Sequence, residues 1–412
     1  MIERPRGTRD LKPDEMEVRR KIENQMRQVC ENFGFREVLP PTFEYTKLFL
    51  ERSGPSIVDE IYSFKDKGGR EIALRPEFTA PVMRMYANEM REEPKPLKLF
   101  YFGPAFRYER PQSGRYREFW HFGSELIGPD IPRADAEIIA LAFTCLKKIG
   151  LDDFNLKISN LRILNTYLQE KNISKDKREE IFHKLDKEEI DDILSEYELD
   201  DNFLDFLDAS LEDMKDLIED IEPVEYLEDV LEYLKYYGID PEDIEIDIST
   251  VRGLDYYKGI VFEIESRNLG AEKQICGGGD YNLGDIFGIE ISSKGFAIGF
   301  DRTLLALKRN EKLPNIDHPQ CYIIPIGEES IEYSTEILMK LRNYDIDADI
   351  DLMDRSVGKA LAYADKKDFR FVLLIGGDEV EDKTITIKNM KSGKQKTINK
   401  ESVIKELKSW EE

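Results

Sequence analysis

The chain has 412 residues, 41% of them hydrophobic, and a formal net charge of −25, which allows substantial cores in two or three domains. No apolar run approaches membrane-spanning length. The four cysteines (Cys30, Cys145, Cys276, Cys321) are widely spaced with no CxxC pair, which argues against structural zinc and implies no disulfides, as in a reducing cytoplasm.

The acidity is local. Between Asp186 and Asp247, 26 Asp and Glu stand against three lysines. That segment holds nearly the whole excess, so the net charge does not exclude an RNA ligand elsewhere.

The first residues, MIERPRGTRDLKPDE, are charged and have no apolar core, unlike a secretory signal. Pro13 and Asp14 open a helix. Val18, Ile22, Met26, Val29 and Phe33 fall three or four apart on one stripe, and Gly34 ends it. FREVLPPTFEY is extended, because Pro40 and Pro41 forbid more helix. Residues 61–74 read as a hairpin with Gly68 and Gly69 in the turn. Arg75 and Pro76 stop that strand and a helix starts near Thr79. Glu77 and Thr79 then sit at a helix N-terminus, either as capping groups or as a pair able to hold an ammonium group.

Phe106–Gly128 reads as two apolar-rich strands joined by a basic turn at Pro111–Gly114. On the second strand, Phe119, His121, Gly123 and Glu125 share one face, and Trp120, Phe122, Ser124 and Leu126 the other, which looks like a core face. Arg107, Arg110, Arg115 and Arg117 stand against Glu109 alone. Their planar forks suit phosphate oxygens.

Ala134–Lys148 is an amphipathic helix and Phe154–Ser159 a strand. From about Leu161 to Gly238 the pattern is helical and acidic, with apolar positions at Phe203, Phe206, Leu207, Leu211, Met214, Leu217 and Ile218. It reads as a helical insertion with a solvated face. IEIDIS (244–249) alternates as a half-buried strand. The loop VRGLDYYKG carries Arg252, Tyr256 and Tyr257, and the strand IVFEIES follows. CGGGDYNLG is a glycine loop that backbone could bring close to a ligand. GFAIGFDRTLLALK is a strand entering a helix with Arg302 in its first turn, a phosphate-favouring context. After a linker with Pro314 and Pro319, strands alternate with helices as in a small α/β domain.

Three separated arginines (Arg107, Arg252, Arg302) in phosphate-suited contexts, with no Walker loop or GxGxxG, suggest ATP used as an electrophile. Attack at the α-phosphate needs positive charge around its oxygens and an oriented nucleophile. Glu125, His121, Tyr256 and Tyr257 would complete a pocket for a small polar substrate.

On these residues the chain resembles the histidyl-tRNA synthetases, class II aminoacyl-tRNA synthetases, over essentially its whole length. LPPTFE is similar to class motif 1, with Pro41 as its proline. FRYERPQSGRYREFWHFG is similar to motif 2 and GFAIGFDR to motif 3. RGLDYYKGIVFE and RPEFTAP resemble segments specific to histidyl enzymes. The resemblance implies an α+β catalytic domain over 1–318, with an antiparallel sheet flanked by helices and a helical insertion at about 161–242. An α/β anticodon-binding domain would follow over 319–412.

It also implies roles. Arg107 and Arg252 are the expected catalytic residues. Arg107 would bind the α-phosphate and the reacting carboxylate. Arg252 would face the α-phosphate from the other side, where related enzymes use a metal ion. Arg302 would hold the γ-phosphate, and Glu109 and Arg115 would also contact ATP. Glu77 and Thr79 would take the amino group of L-histidine. Glu125 and Tyr257 would contact its imidazole, with Tyr256 beside them, and Arg252 and Tyr281 would also bind the histidine. His121 stands where the family usually has glutamine, near the substrate carboxylate. Asp280 and Asn282 flank Tyr281 where the family commonly has arginine and aspartate. The resemblance implies ATP with accompanying Mg2+, histidine tRNA as partner, a cytoplasmic homodimer, and no protein-held metal. The alternative is a non-catalytic histidyl-synthetase-like regulatory subunit of a histidine-biosynthetic phosphoribosyltransferase. Such subunits resemble the catalytic domain alone.

Overall fold

The computed structural model describes residues 2–409 apart from 54–59, 109–114, 188, 198, 200, 252–256 and 318–319. The chain divides into two compact units, Met1–Pro314 and Asn315–Glu412.

In chain order, the strands of the first unit are β1 (Arg36–Glu37), β2 (Phe43–Tyr45), β3 (Ser63–Lys65), β4 (Glu71–Leu74), β5 (Leu97–Phe106), β6 (Glu118–Gly128), β7 (Phe154–Asn160), β8 (Ile244–Ile246), β9 (Tyr257–Ser266), β10 (Gln274–Tyr281) and β11 (Ser292–Gly299). Eight of them form one sheet in the order β1-β5-β6-β11-β10-β9-β7-β8. The six inner strands are antiparallel, and β1 and β8 join the edges parallel. This is the helix-flanked antiparallel sheet expected from the sequence. Strands β2, β4 and β3 make a separate small sheet, with the expected hairpin between β3 and β4.

Helix Pro13–Asn32 buries Ile22, Met26, Val29 and Cys30, the predicted stripe less its ends. With helix Pro132–Lys148 it covers one sheet face, together with Phe122, Leu126, Phe262 and Phe296. The second helix, expected to be amphipathic, is buried almost all round. It packs on the sheet strands β6, β10 and β11 and also against helices Pro13–Asn32 and Glu222–Tyr236. Among the described residues the insertion folds as six helices between Leu161 and Tyr236. Phe203, Phe206, Met214 and Ile218 join the same core. Leu217 does not: it is 49% exposed, because its short helix ends there and the chain turns extended at Ile218. The opposite sheet face packs under helix Thr79–Met85 through Phe78, Val82, Met83, Tyr101 and Tyr281.

Several boundaries differ from expectation. The central hairpin is shifted: its first strand is β5, ending at Phe106, and the connection begins at Arg107. Strand β8 stops at Ile246, which is 41% exposed, because an edge strand alternates without a full core behind it. Tyr257 opens strand β9 instead of lying in a loop. The glycine run is not a loop. It lies inside β10, between β9 and β11. A Cβ at Gly278 would stand 2.3 Å from the Gly295 carbonyl oxygen and 2.7 Å from the Phe296 Cβ. Close strand packing therefore demands glycine there.

The second unit has strands β12 (Cys321–Pro325), β13 (Ala348–Ile350), β14 (Phe371–Ile375), β15 (Thr384–Asn389) and β16 (Gln395–Asn399), in the order β13-β12-β14-β15-β16. The first three are parallel and the rest antiparallel. Helices Ile331–Arg342 and Val357–Lys366 fall where alternation places them.

Candidate active site

A cavity of about 230 Å³ opens on the sheet where β6, β10 and β11 meet the ends of β5 and β9. It is lined by Glu77, Thr79, Arg107, Arg115, His121, Tyr257, Tyr281 and Arg302, among others. The structure thus brings eight of the expected residues to one space. They come from positions 77 to 302, on paired strands and on the helix starts and connection beside them. Glu125 lies beneath the floor: a Cβ on the lining residue Gly295 would stand 1.9 Å from Glu125 Oε2. Arg252, Tyr256 and Glu109 lie outside the described residues.

One end of the cavity is a buried carboxyl network. Glu125 is fully buried. Its oxygens accept from the Tyr281 hydroxyl at 2.6 Å and the Tyr101 hydroxyl at 3.2 Å. Burial pushes Glu125 up to about 8, against the hydrogen bonds from Tyr281, Thr79 and Tyr101. Tyr101 was not among the expected residues. The signal for it was its cross-strand partner, Gly123: a Cβ there would lie 2.4 Å from the Tyr101 hydroxyl. The ring of Tyr101 stacks on Phe78 at 4.4 Å, which fixes where the hydroxyl points. Tyr257 pairs with Tyr281 across β9 and β10, so both line this end.

Glu77 caps helix Thr79–Met85. Its carboxylate accepts from the Thr79 amide at 2.5 Å and the Ala80 amide at 3.2 Å. The capping reading is realised, and the same carboxylate lines the cavity. The carboxylate is thus both a helix cap and part of the cavity wall.

The other end is cationic. Arg107 donates from Nε to the Pro76 carbonyl at 3.1 Å, and Arg302 donates to the Gln274 carbonyl at 2.9 Å. These main-chain anchors hold the two guanidiniums at the cavity. His121 lies close enough for both to act on it. Burial, and then the charges of Arg107, Arg302 and Arg75, pull its imidazole down to about 3. It is therefore neutral at physiological pH and edges onto Phe119 at 4.9 Å. Its Nδ1 is buried, with no hydrogen-bond partner among the described residues. Arg75, expected only to stop a strand, is buried against Phe78, 4.0 Å from the ring. Its donors go to the carbonyls of Pro104 and Pro40, so it frames the site.

Sequence reasoning also missed Asp301 and Tyr116, which line the arginine end. Among the described residues, no group of three His, Cys, Asp or Glu is placed to hold a metal. An arginine-rich wall facing a carboxyl network suits a ligand with phosphates at one end and a polar, hydrogen-bonding group at the other.

Residues 7–303 match the family model described as histidyl-tRNA synthetase, and residues 320–410 match the one described as anticodon binding domain. The chain is 41% identical to the histidine–tRNA ligase of Archaeoglobus fulgidus, over 98% of each chain. It is 43% identical to that of Methanospirillum hungatei, over 99% of this chain and all of the relative. Among solved structures, the apo histidyl-tRNA synthetase of S. aureus superposes with a TM-score of 0.75 at 30% identity, covering 99% of this chain and 100% of that one.

Proposed function

The chain belongs to the histidyl-tRNA synthetase family, and from that premise we propose how its residues divide the work. It is an aminoacyl-tRNA synthetase that charges tRNA with histidine. The reading as a phosphoribosyltransferase regulatory subunit is not favoured, because relatives bearing the ligase name match the whole length, tail included.

In the proposed reaction a carboxylate oxygen of L-histidine attacks the α-phosphorus of ATP. The bond from that phosphorus to the bridging oxygen breaks, and pyrophosphate leaves with its electron pair. The 3′-terminal ribose hydroxyl of histidine tRNA then attacks the acyl carbon and AMP departs. Arg107 and Arg252 offset charge developing at the α-phosphate. Arg302 takes the γ-phosphate, and Arg115 and Glu109 hold the nucleotide. Neutral His121 offers its ring N–H to the carboxylate. Glu77 and Thr79 hold the amino group, and Glu125, Tyr257, Tyr281 and Tyr256 the imidazole. Mg2+ would accompany ATP as part of the substrate, as the family reading implies. The observation that carries this reading is the pairing of Arg107 and Arg302 at one end of the cavity with the Glu125–Tyr281 bond at the other.

A second copy of the chain is the proposed partner of the small sheet. Phe43 and Tyr45 are each 55% exposed on either side of buried Glu44, beside exposed Leu39 and Phe64, and an apolar patch of this kind suits an interface. Among the described residues, no helix is long and apolar enough to cross a membrane, and a tRNA substrate suits a cytoplasmic location. The test is ATP–pyrophosphate exchange with histidine, using proline, threonine and glycine as controls. Exchange with histidine alone is expected. No exchange from folded protein that still binds histidine would overturn the reading.

A further inference from the structure

The first ten residues contain a feature that the reaction above does not use. Pro5–Thr8 is a tight turn, closed by the Thr8 amide and hydroxyl donating to the Pro5 carbonyl at 3.2 and 2.7 Å. Gly7 has φ +85, a left-handed conformation that favours glycine. Its carbonyl accepts from the Arg117 amide at 2.9 Å, and the Arg117 carbonyl accepts from the Arg107 amide at 3.0 Å. The turn is thereby hydrogen-bonded to the connection that carries the phosphate-facing arginines.

Arg9 completes the arrangement. Its guanidinium donates to the Asp301 carboxylate and its Cζ lies over the Tyr116 ring, 3.9 Å from its centre. Asp301 is already served by Arg19, at 2.6 Å, and by the Trp120 amide, at 2.8 Å. Arg19 is buried against Phe300 and Trp120, so Asp301 keeps a cationic partner when Arg9 is replaced. The contact particular to Arg9 is therefore the bridge from Asp301 to Tyr116. Both ends of that bridge line the cavity, and Asp301 directly precedes Arg302. All these contacts fall on the arginine half of the site.

We propose that Pro5–Arg9 is a strap, and that Arg9 is a positioning residue setting the nucleotide half of the cavity by clamping Tyr116 to the start of helix Phe300–Arg309. The proposal rests on the reading of that half as the ATP site. Removing the clamp cuts the tie between Tyr116 and the start of that helix, on which Arg302 sits. A misplacement of positioning groups by about 1 Å can cost about 100-fold in rate, and phosphate contacts made by planar arginine forks depend on the same geometry. The histidine end, built on β6, β9 and β10, is left in place.

The test compares wild type, Arg9→Ala and Arg9→Lys. ATP binding is measured by titration calorimetry, and KM for ATP and for histidine by pyrophosphate exchange. Arg9→Ala is expected to weaken ATP binding about tenfold or more, with KM for histidine within about twofold of wild type. Arg9→Lys keeps the charge beside Asp301 but loses the planar guanidinium that reaches both Asp301 and Tyr116, so it falls near the alanine variant. It also carries the test if Arg9→Ala does not fold. Unchanged ATP affinity in the folded variants would overturn the strap. So would equal weakening of both substrates with a lowered melting temperature, the signature of general structural damage. Wild type that binds no ATP would overturn the underlying site reading itself, a different result from an Arg9 variant that behaves like wild type.

Discussion

Glu125→Gln separates electrostatics from shape at the floor of the cavity. Glu125 is fully buried, and its carboxyl is pushed from the ordinary 4.5 up to about 8, first by burial. Between those values the folded chain holds a proton that the unfolded chain releases. Folding therefore binds more protons, and stability falls as pH rises through that window. One proton corresponds to a slope of about 1.4 kcal/mol per pH unit. From about pH 5 to about pH 8 the loss reaches at most about 4 kcal/mol. Glutamine keeps the shape and still accepts from Tyr281, but it does not titrate. Asp280, also raised by burial, to about 7, contributes alike in both proteins and cancels. Denaturant unfolding across that range, with substrates absent, should give a variant that is markedly less pH-dependent and relatively more stable at the alkaline end. Parallel stability curves would refute the argument, because they would mean Glu125 is ionised in the folded state throughout.

Three further outcomes are expected. Gly295→Ala puts a Cβ 1.9 Å from Glu125 Oε2 and 2.6 Å from the Ser124 carbonyl oxygen; because the second neighbour is backbone, a loss of about 1–3 kcal/mol is expected by thermal unfolding, along with weaker histidine-dependent exchange. Lys294 is fully buried, 3.2 Å from Asp135 and 4.0 Å from Asp280. Lys294→Met strands those carboxylates at about 3–5 kcal/mol, a deficit that should shrink on acidification as both accept protons, read from melts at two pH values. Arg252→Ala should nearly abolish adenylate formation while leaving circular dichroism unchanged, and near-normal exchange would remove its proposed role at the α-phosphate.

Much of the site was legible because its chemistry is carried by residue types with few other uses. Buried strands supply few reasons for Arg107, Glu125 or a leading Arg302, and each stood in a context suited to phosphate or to a polar ligand. Tyr101 and Arg9 were not legible in that way. A tyrosine in an apolar strand looks like core until the opposite glycine is paired with it. An arginine in a charged N-terminal segment looks solvated until Asp301, 292 positions away, is brought to it.

Local pattern determined the elements. The apolar stripe of Pro13–Asn32, the proline-marked break before β2, the hairpin at Gly68–Gly69 and the alternation of the second unit all follow from spacing and turn chemistry, which act over a few residues. The tertiary structure decided what spacing cannot express. It turned the glycine run from a flexible loop into an inner strand, because only glycine admits the neighbouring backbone. It buried helix Pro132–Lys148 on sides that its own pattern left open. It also drew Glu77, Tyr281 and Arg302 to one cavity with Glu125 beneath its floor, because strand pairing and helix packing set side by side residues that the chain keeps far apart.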